Sequence, residues 1–217
     1  MTADLFASLP DARPSQEAMA DGAILLRGFA RNAEAALIAA LGDLVSRAPF
    51  RHMVTPGGHQ MSVAMTNCGS AGWITDSVGY RYGAVDPETG QPWPAMPPLF
   101  RDLAAKAADR AGFGGFAPDV CLINRYVPAA RMSLHQDRDE LDFTAPIVSV
   151  SLGLPAIFLF GGLKRSDKPR RFRLEHGDVV VWGGPARLFF HGVAPLADGE
   201  HPLVGRQRIN LTFRKIR

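Results

Sequence analysis

The chain has 217 residues and a mass of 23.4 kDa, enough for one continuous core and too little for a multidomain machine. Apolar residues make up 47% and charged residues 21%, near globular averages, which excludes a disordered or fibrous chain. The net charge of +3 is unevenly spread: residues 1–50 hold four arginines against six acidic residues, while 164–173 hold Lys164, Arg165, Lys168, Arg170, Arg171 and Arg173 against Asp167 alone. Such a cluster either neutralises phosphates or is a solvated turn.

The first twenty residues mix Asp4, Asp11 and Glu17 with Pro10 and Pro14 and carry no basic segment ahead of an apolar run, so no export signal is expected. Asn32 is placed to cap a helix in which Leu37, Leu41, Leu44 and Val45 share one face. The stretch from about 50 to 93 is rich in Gly, Thr, Tyr and Trp without a clear period and reads as an irregular lid over a site. Leu99, Leu103, Ala107 and Ala111 then repeat the helical spacing until Gly112 stops it. Cys68 and Cys121 sit in apolar runs and read as buried thiols of a protein in a reducing cytoplasm.

From about residue 115 the period changes to two. Strands are expected at 119–126, 131–137, 146–152, 155–160, 170–175, 178–182, 187–194 and 206–214, joined by turns such as His176-Gly177-Asp178. The apolar stretch 147–163 is broken by Ser149, Ser151, Gly153, Pro155, Gly161 and Gly162, which suits two strands and not a membrane helix. The expected fold is α+β and mainly β: one domain over 1–217, with a jelly-roll core at about 115–217 buttressed by the amino-terminal helices.

Within that core, period-two geometry puts the imidazole of His135 and the carboxylate of Asp137 on the same side of an extended chain. Two histidines and one carboxylate hold iron(II) in many oxygen-activating enzymes, leaving positions open for cosubstrate and oxygen. His191 is the candidate second histidine, because it lies in a strand of another segment, whereas His176 sits in a turn and His52, His59 and His201 lie outside the β core. A hydrogen-bonded core pair or an N-cap is the alternative for an isolated His-x-Asp.

The last strand adds weight. Arg208, Asn210, Thr212 and Arg214 alternate with Ile209, Leu211 and Phe213, so one face is uniformly polar. At roughly 3.4 Å per residue the two arginine Cα atoms stand about 20 Å apart, and two long side chains bending inward could clamp a small dicarboxylate. Leu122, Asn124 and Tyr126 alternate in the same way, and Asn124 and Tyr126 could give neutral donors to that ligand. The alternative is an edge-like surface strand with solvated arginines.

These residues closely resemble the AlkB-type iron(II) and 2-oxoglutarate-dependent dioxygenases that repair alkylated bases. The resemblance runs over nearly the whole chain and rests on His135-Gln136-Asp137, His191, the 208–214 stretch and Leu122-Ile123-Asn124-Arg125-Tyr126. Further agreement in 53–58, 61–69 and 149–158 looks like the bacterial founding member and not a distant cousin; Leu159 and Phe190 depart from the more polar residues expected there.

The resemblance implies a double-stranded β-helix with iron on His135, Asp137 and His191. It implies 2-oxoglutarate in a pocket made with Leu122, Asn124, Tyr126, Ser149, Asn210 and Thr212, its two carboxylates held by Arg208 and Arg214. It further implies a nucleotide-recognition lid, with Trp73 stacking on a flipped base, Tyr80 at the backbone phosphate and Asp139 at the base edge. Thr55, Met65, Arg138, Glu140 and Arg165 complete the implied contacts to the nucleic acid. The implied reaction is oxidative demethylation of bases such as 1-methyladenine and 3-methylcytosine in single-stranded DNA or RNA by a monomer, consuming O2 and releasing formaldehyde, succinate and CO2. The alternative is the same iron chemistry on a small molecule or a protein side chain.

Overall fold

The computed structural model describes residues 14–217, so the reading of the first twenty residues lies largely outside the described part. Two strands open the described chain, β1 (Gln16–Ala20) and β2 (Ala23–Leu26), followed by helix α1 (Glu34–Arg47). Next come β3 (Arg51–Val54), β4 (Gln60–Gly69), β5 (Gly72–Asp76), β6 (Gly79–Gly83) and helix α2 (Pro98–Arg110). The remaining strands are β7 (Val120–Tyr126), β8 (Met132–His135), β9 (Ile147–Gly153), β10 (Ala156–Phe160), β11 (Arg170–Leu174), β12 (Val179–Trp182), β13 (His191–Val193) and β14 (Arg208–Arg214).

Eight strands form a major sheet in the order β1-β2-β12-β9-β14-β7-β4-β3, four form a minor sheet in the order β11-β10-β13-β8, and β5 and β6 make a separate hairpin. All pairings are antiparallel. This is the expected jelly roll, two sheets facing each other over one core with helices behind the larger one. Side chains of β14 divide accordingly. Ile209, Leu211 and Phe213 join Leu37, Leu41, Leu44, Phe100 and Leu103 in the helix-side cluster, each burial contributing roughly 1.5 to 3 kcal/mol, and the polar set of the same strand turns into the space between the sheets.

Several expectations change. The 50–93 stretch is not irregular: β4 runs for ten residues, is buried from Val63 to Cys68, and pairs with β7 in the main sheet. Burial on both faces erases the alternation that would have announced it. Only the β5–β6 hairpin stands apart from the two sheets. The β1–β2 hairpin was also unforeseen, although Asp21-Gly22 between Ala20 and Ala23, with Gly22 at φ +75°, is a hairpin-turn signature. Asn32 makes no capping bond; a 3-10 turn over Arg31–Ala33 leads into α1 instead. The strand expected at 187–194 shrinks to β13 because a 3-10 turn at Gly184–Ala186 precedes it. Finally, β14 lies between β9 and β7 with all seven residues buried, so it is no edge strand.

Two glycines shape the site. Gly153 ends β9 at φ +91°, where a Cβ would sit 2.4 Å from the Gln207 carbonyl, and there the chain leaves the major sheet for the minor one. At Gly192 a Cβ would meet the Met132 carbonyl at 2.7 Å, so its absence lets β13 lie against β8 with His191 opposite His135.

Candidate metal and cosubstrate centre

His135 ends β8, His191 begins β13, and Asp137 follows two residues after His135 where no ladder continues. Their ligand atoms all lie within 4.8 Å of one another. Asp137 Oδ1 is 3.6 Å from His135 Nε2, and Oδ2 is 3.8 Å from His191 Nε2. Each imidazole turns Nδ1 to a main-chain carbonyl, His135 to Ser133 at 2.9 Å and His191 to Phe189 at 3.0 Å. With Nδ1 carrying the proton, both Nε2 lone pairs face the shared space, the arrangement of metal-binding histidines.

Charge favours the same assignment. Burial opposes ionisation of Asp137, but the Arg214 guanidinium, followed by His191 and His135, holds its carboxyl far below the usual range. His191 is pulled down to about 4 by burial and by His135, so it is neutral and able to ligate at physiological pH. One carboxylate and two imidazoles on one side fit iron(II).

The cavity beside this triad is lined by the three donors and by Leu122, Asn124, Tyr126, Ser149, Arg208, Asn210, Thr212 and Arg214. Every residue expected at the iron or the cosubstrate is therefore brought to one cavity. Met132, Phe158, Trp182, Gly192 and Val193 complete the lining and were not foreseen; their apolar types gave no signal apart from core.

The two arginines differ. Arg208 is 1% exposed and gives Nη2 to Ser151 at 2.9 Å, while its Nε and Nη1 have no hydrogen-bond partner. Buried donors of that kind are costly unless a ligand satisfies them. Its guanidinium lies 5.1 Å over the Tyr126 ring, and burial pushes the Tyr126 phenol up from its ordinary value. Arg214 is already engaged: Nε and Nη2 bond Asp137 Oδ2 at 3.0 and 2.7 Å, and Nη1 reaches the Tyr82 hydroxyl at 3.2 Å. Both arginines line the cavity, Arg208 with free donors and Arg214 with its donors on Asp137 and Tyr82. Between them, Asn210 donates to Ser149 at 2.7 Å and accepts from Thr212 at 2.9 Å.

The implied nucleic acid contacts scatter more widely. Trp73 is half-buried on β5, donates Nε1 to Asp139 Oδ2 at 2.8 Å, and stacks on the half-exposed Tyr80 with centroids 5.6 Å apart. Arg138, Asp139 and Arg165 are exposed, Arg165 over the Phe190 ring at 5.1 Å. Thr55 sits in the β3–β4 turn and accepts from the His59 amide at 3.2 Å. Two residues depart from expectation. Met65 is 1% exposed inside the core, in register with Asn124 across β4 and β7, and presents no surface to a strand. Glu140 is 4% exposed, accepts from the Tyr82 hydroxyl at 2.5 Å and pairs with Arg187 at 3.1 Å, so its oxygens are committed internally. Asp139 and Glu140 are neighbours on an extended loop, and only the fold decides which points outward. Among the described residues no helix is long and apolar enough to cross a membrane.

The sequence profile of the 2OG-Fe(II) oxygenase superfamily matches residues 22–214. The chain is 61% identical over 212 residues to the alpha-ketoglutarate-dependent dioxygenase AlkB of Escherichia coli (strain K12), covering 98% of this chain and 97% of that one. It is 35% identical over 132 residues, 59% of this chain and 33% of the relative, to the nucleic acid dioxygenase ALKBH1 of Mus musculus. The solved structure of OsALKBH1 superposes with a TM-score of 0.83 at 29% identity, covering 92% of this chain and 99% of that one.

Proposed function

This chain belongs to the 2OG-Fe(II) oxygenase superfamily as an alpha-ketoglutarate-dependent dioxygenase of the AlkB type, and from that premise we propose that it oxidatively demethylates N-alkylated bases in single-stranded DNA or RNA. The observation that carries the reading is one cavity joining a His-Asp-His donor set to a buried arginine with two unpartnered donor atoms. Bound iron(II) supplies the means for O2 and 2-oxoglutarate to be converted to succinate and CO2 while an N-methyl group is oxidised and leaves as formaldehyde.

The protein's own groups do the rest. His135, Asp137 and His191 would hold the metal beside the cavity they line. Arg208 takes the remote carboxylate of 2-oxoglutarate with its free Nε and Nη1, where charge-assisted bonds are strong and short. Asn124, Asn210, Thr212 and Ser149 give neutral polar contacts between that end and the metal, and Leu122 and Tyr126 wall the pocket. Arg214 serves chiefly to hold Asp137 ionised.

Outside the cavity the β5–β6 hairpin acts as the nucleotide lid of a single catalytic domain. A base methylated at N1 of adenine or N3 of cytosine is cationic and has lost its pairing edge, which lowers the cost of extruding it from a strand. Trp73 offers a stacking face, and Asp139, two residues from a metal ligand and exposed, offers negative charge to a cationic base. Arg165, Arg138 and Tyr80 meet the backbone near the lid, and the 164–173 cations extend that contact.

The deciding experiment is aerobic incubation with iron(II), 2-oxoglutarate, ascorbate and an oligonucleotide carrying one 1-methyladenine. The expected product has lost one methylene in mass, with turnover falling steeply as salt rises. Absence of demethylation, or turnover indifferent to salt on a small methylated substrate, would favour the reading with a small molecule or a protein side chain.

A further inference from the structure

Asp137 is a ligand whose backbone lacks the support the histidines enjoy. His135 and His191 face each other across the β8–β13 ladder, but β8 ends at His135 and residues 136–146 form neither strand nor helix. A carboxylate on such a loop needs its backbone anchored, because Arg214 holds only its Oδ2 and fixes no main-chain atom of the segment.

One side chain meets that need. Arg187, 3% exposed, extends from the end of the 3-10 turn four residues ahead of His191. Its Nη1 donates to the Asp137 main-chain carbonyl at 2.7 Å, Nη2 to Glu140 Oε2 at 3.1 Å, and Nε to the Ala145 carbonyl at 3.1 Å. A single planar guanidinium thus ties the start, middle and end of the loop to the segment that delivers His191. Gln136 adds a parallel tie, donating to the Leu188 carbonyl at 2.6 Å, and the Phe143 ring lies 5.3 Å under Arg187.

We infer that Arg187 is a positioning residue for the metal centre, setting the place of Asp137 relative to His191 through the Asp137 backbone. A buried Arg–Glu pair is weak support for stability, since desolvation offsets most of the attraction, and its better-attested use is to fix one arrangement among several. The main-chain bonds distinguish this role from a plain ion pair. Lysine keeps the charge opposite Glu140, but its three donors share one nitrogen and cannot span acceptors that three separate guanidinium nitrogens reach.

The inference rests on the metal reading of His135, Asp137 and His191, so the test begins with cobalt(II) titrated into the metal-free wild-type protein. Failure of wild type to bind strikes the metal reading and not the strut. Given binding, Arg187→Lys should lose about 10- to 100-fold in cobalt affinity, the usual range for residues that orient ligands, with a changed ligand-field spectrum. Glu140→Gln, which keeps an acceptor for Arg187, should bind within about threefold of wild type. Thermal melting of the metal-free variants separates position from stability. Wild-type affinity and spectrum in Arg187→Lys would overturn the assignment. So would parallel losses of affinity and melting temperature in both variants, or an Arg187→Lys chain with no folded baseline, since each assigns the side chain to stability.

Discussion

Arg214 sets two nitrogens on a single oxygen of Asp137, Nε at 3.0 Å and Nη2 at 2.7 Å, leaving Oδ1 to face His135. Both residues are buried, and burial alone would drive the carboxyl toward its neutral form. The guanidinium reverses that tendency, so a buried carboxyl stays an anion ready for a divalent cation.

The pair makes the metal ligands unequal under mutation. Asp137→Ala and His135→Ala are both expected to abolish iron-dependent demethylation, but only the first strands a buried cation. It should cost about 3 to 5 kcal/mol of stability in the metal-free protein, at the low end because Glu140 lies 3.4 Å from Arg214 Nε. His135 is 38% exposed in its side chain, and its loss should cost far less. Denaturant unfolding of the metal-free variants makes the comparison, and equal costs would mean that Arg214 does not depend on Asp137.

Arg208 and Arg214 should separate in the same way. Arg208→Gln removes the guanidinium with two unpartnered donor atoms and is expected to weaken 2-oxoglutarate binding by about 1.5 to 3 kcal/mol, as for hydrogen bonds to charged groups. Calorimetric titration reads this directly. Unchanged affinity would leave the buried donors without a ligand to explain them.

A third expectation concerns pH and the lid. Asp76 receives Arg81 Nη1 and Nη2 at 2.9 and 2.6 Å and the Val78 amide at 2.8 Å, which pins the β5–β6 turn. The bond from Arg81, then that from Val78, lowers its carboxyl from 3.8 to about 2. A depressed value means the stabilisation is whole above the unfolded value and is lost as pH falls through about 2. Because the pair is exposed, the loss should loosen the hairpin and not unfold the domain. Amide exchange of β5 and β6 should quicken in Asp76→Asn at neutral pH, and exchange identical to wild type would rule the pin out.

How far the chain could be read in advance depended on whether two faces of an element differed. In β14 they do, cations and amides on one and Ile209, Leu211 and Phe213 on the other, so the strand and its site both stood out. In β4 they do not: Val63 to Cys68 is buried throughout, and a ten-residue strand passed for irregular lid. The metal donors were legible because period-two spacing joins His135 to Asp137 before any folding. Arg187 and Tyr82 carried no such mark. A lone arginine in Gly184-Pro185-Ala186-Arg187 and a tyrosine in a glycine-flanked hairpin acquire their partners only through contacts 42 to 132 residues away.

The last expectation turns on the bond between Trp73 Nε1 and Asp139 Oδ2 at 2.8 Å. The resemblance implies two separate contacts to one flipped base, yet here the carboxylate also fixes the indole. Trp73→Ala removes a stacking face that any base can use, worth about 1 to 3 kcal/mol, and should lower repair of 1-methyladenine and 3-methylcytosine together. Asp139→Ala removes negative charge as well as the anchor, so it should alter the preference between cationic and neutral lesions and add a smaller common loss. Trp73→Phe divides these effects, keeping an aromatic face while giving up the N–H; it should resemble the common loss of Asp139→Ala without the change in preference. None of the three touches His135, Asp137 or His191, so succinate formed without nucleic acid should persist and separate pocket damage from damage at the metal. A side-by-side assay of both lesions in single strands measures all three variants. Normal repair of each lesion by Trp73→Ala would remove the indole from the base pocket, and an unchanged lesion preference in Asp139→Ala would reduce that carboxylate to a prop for the tryptophan.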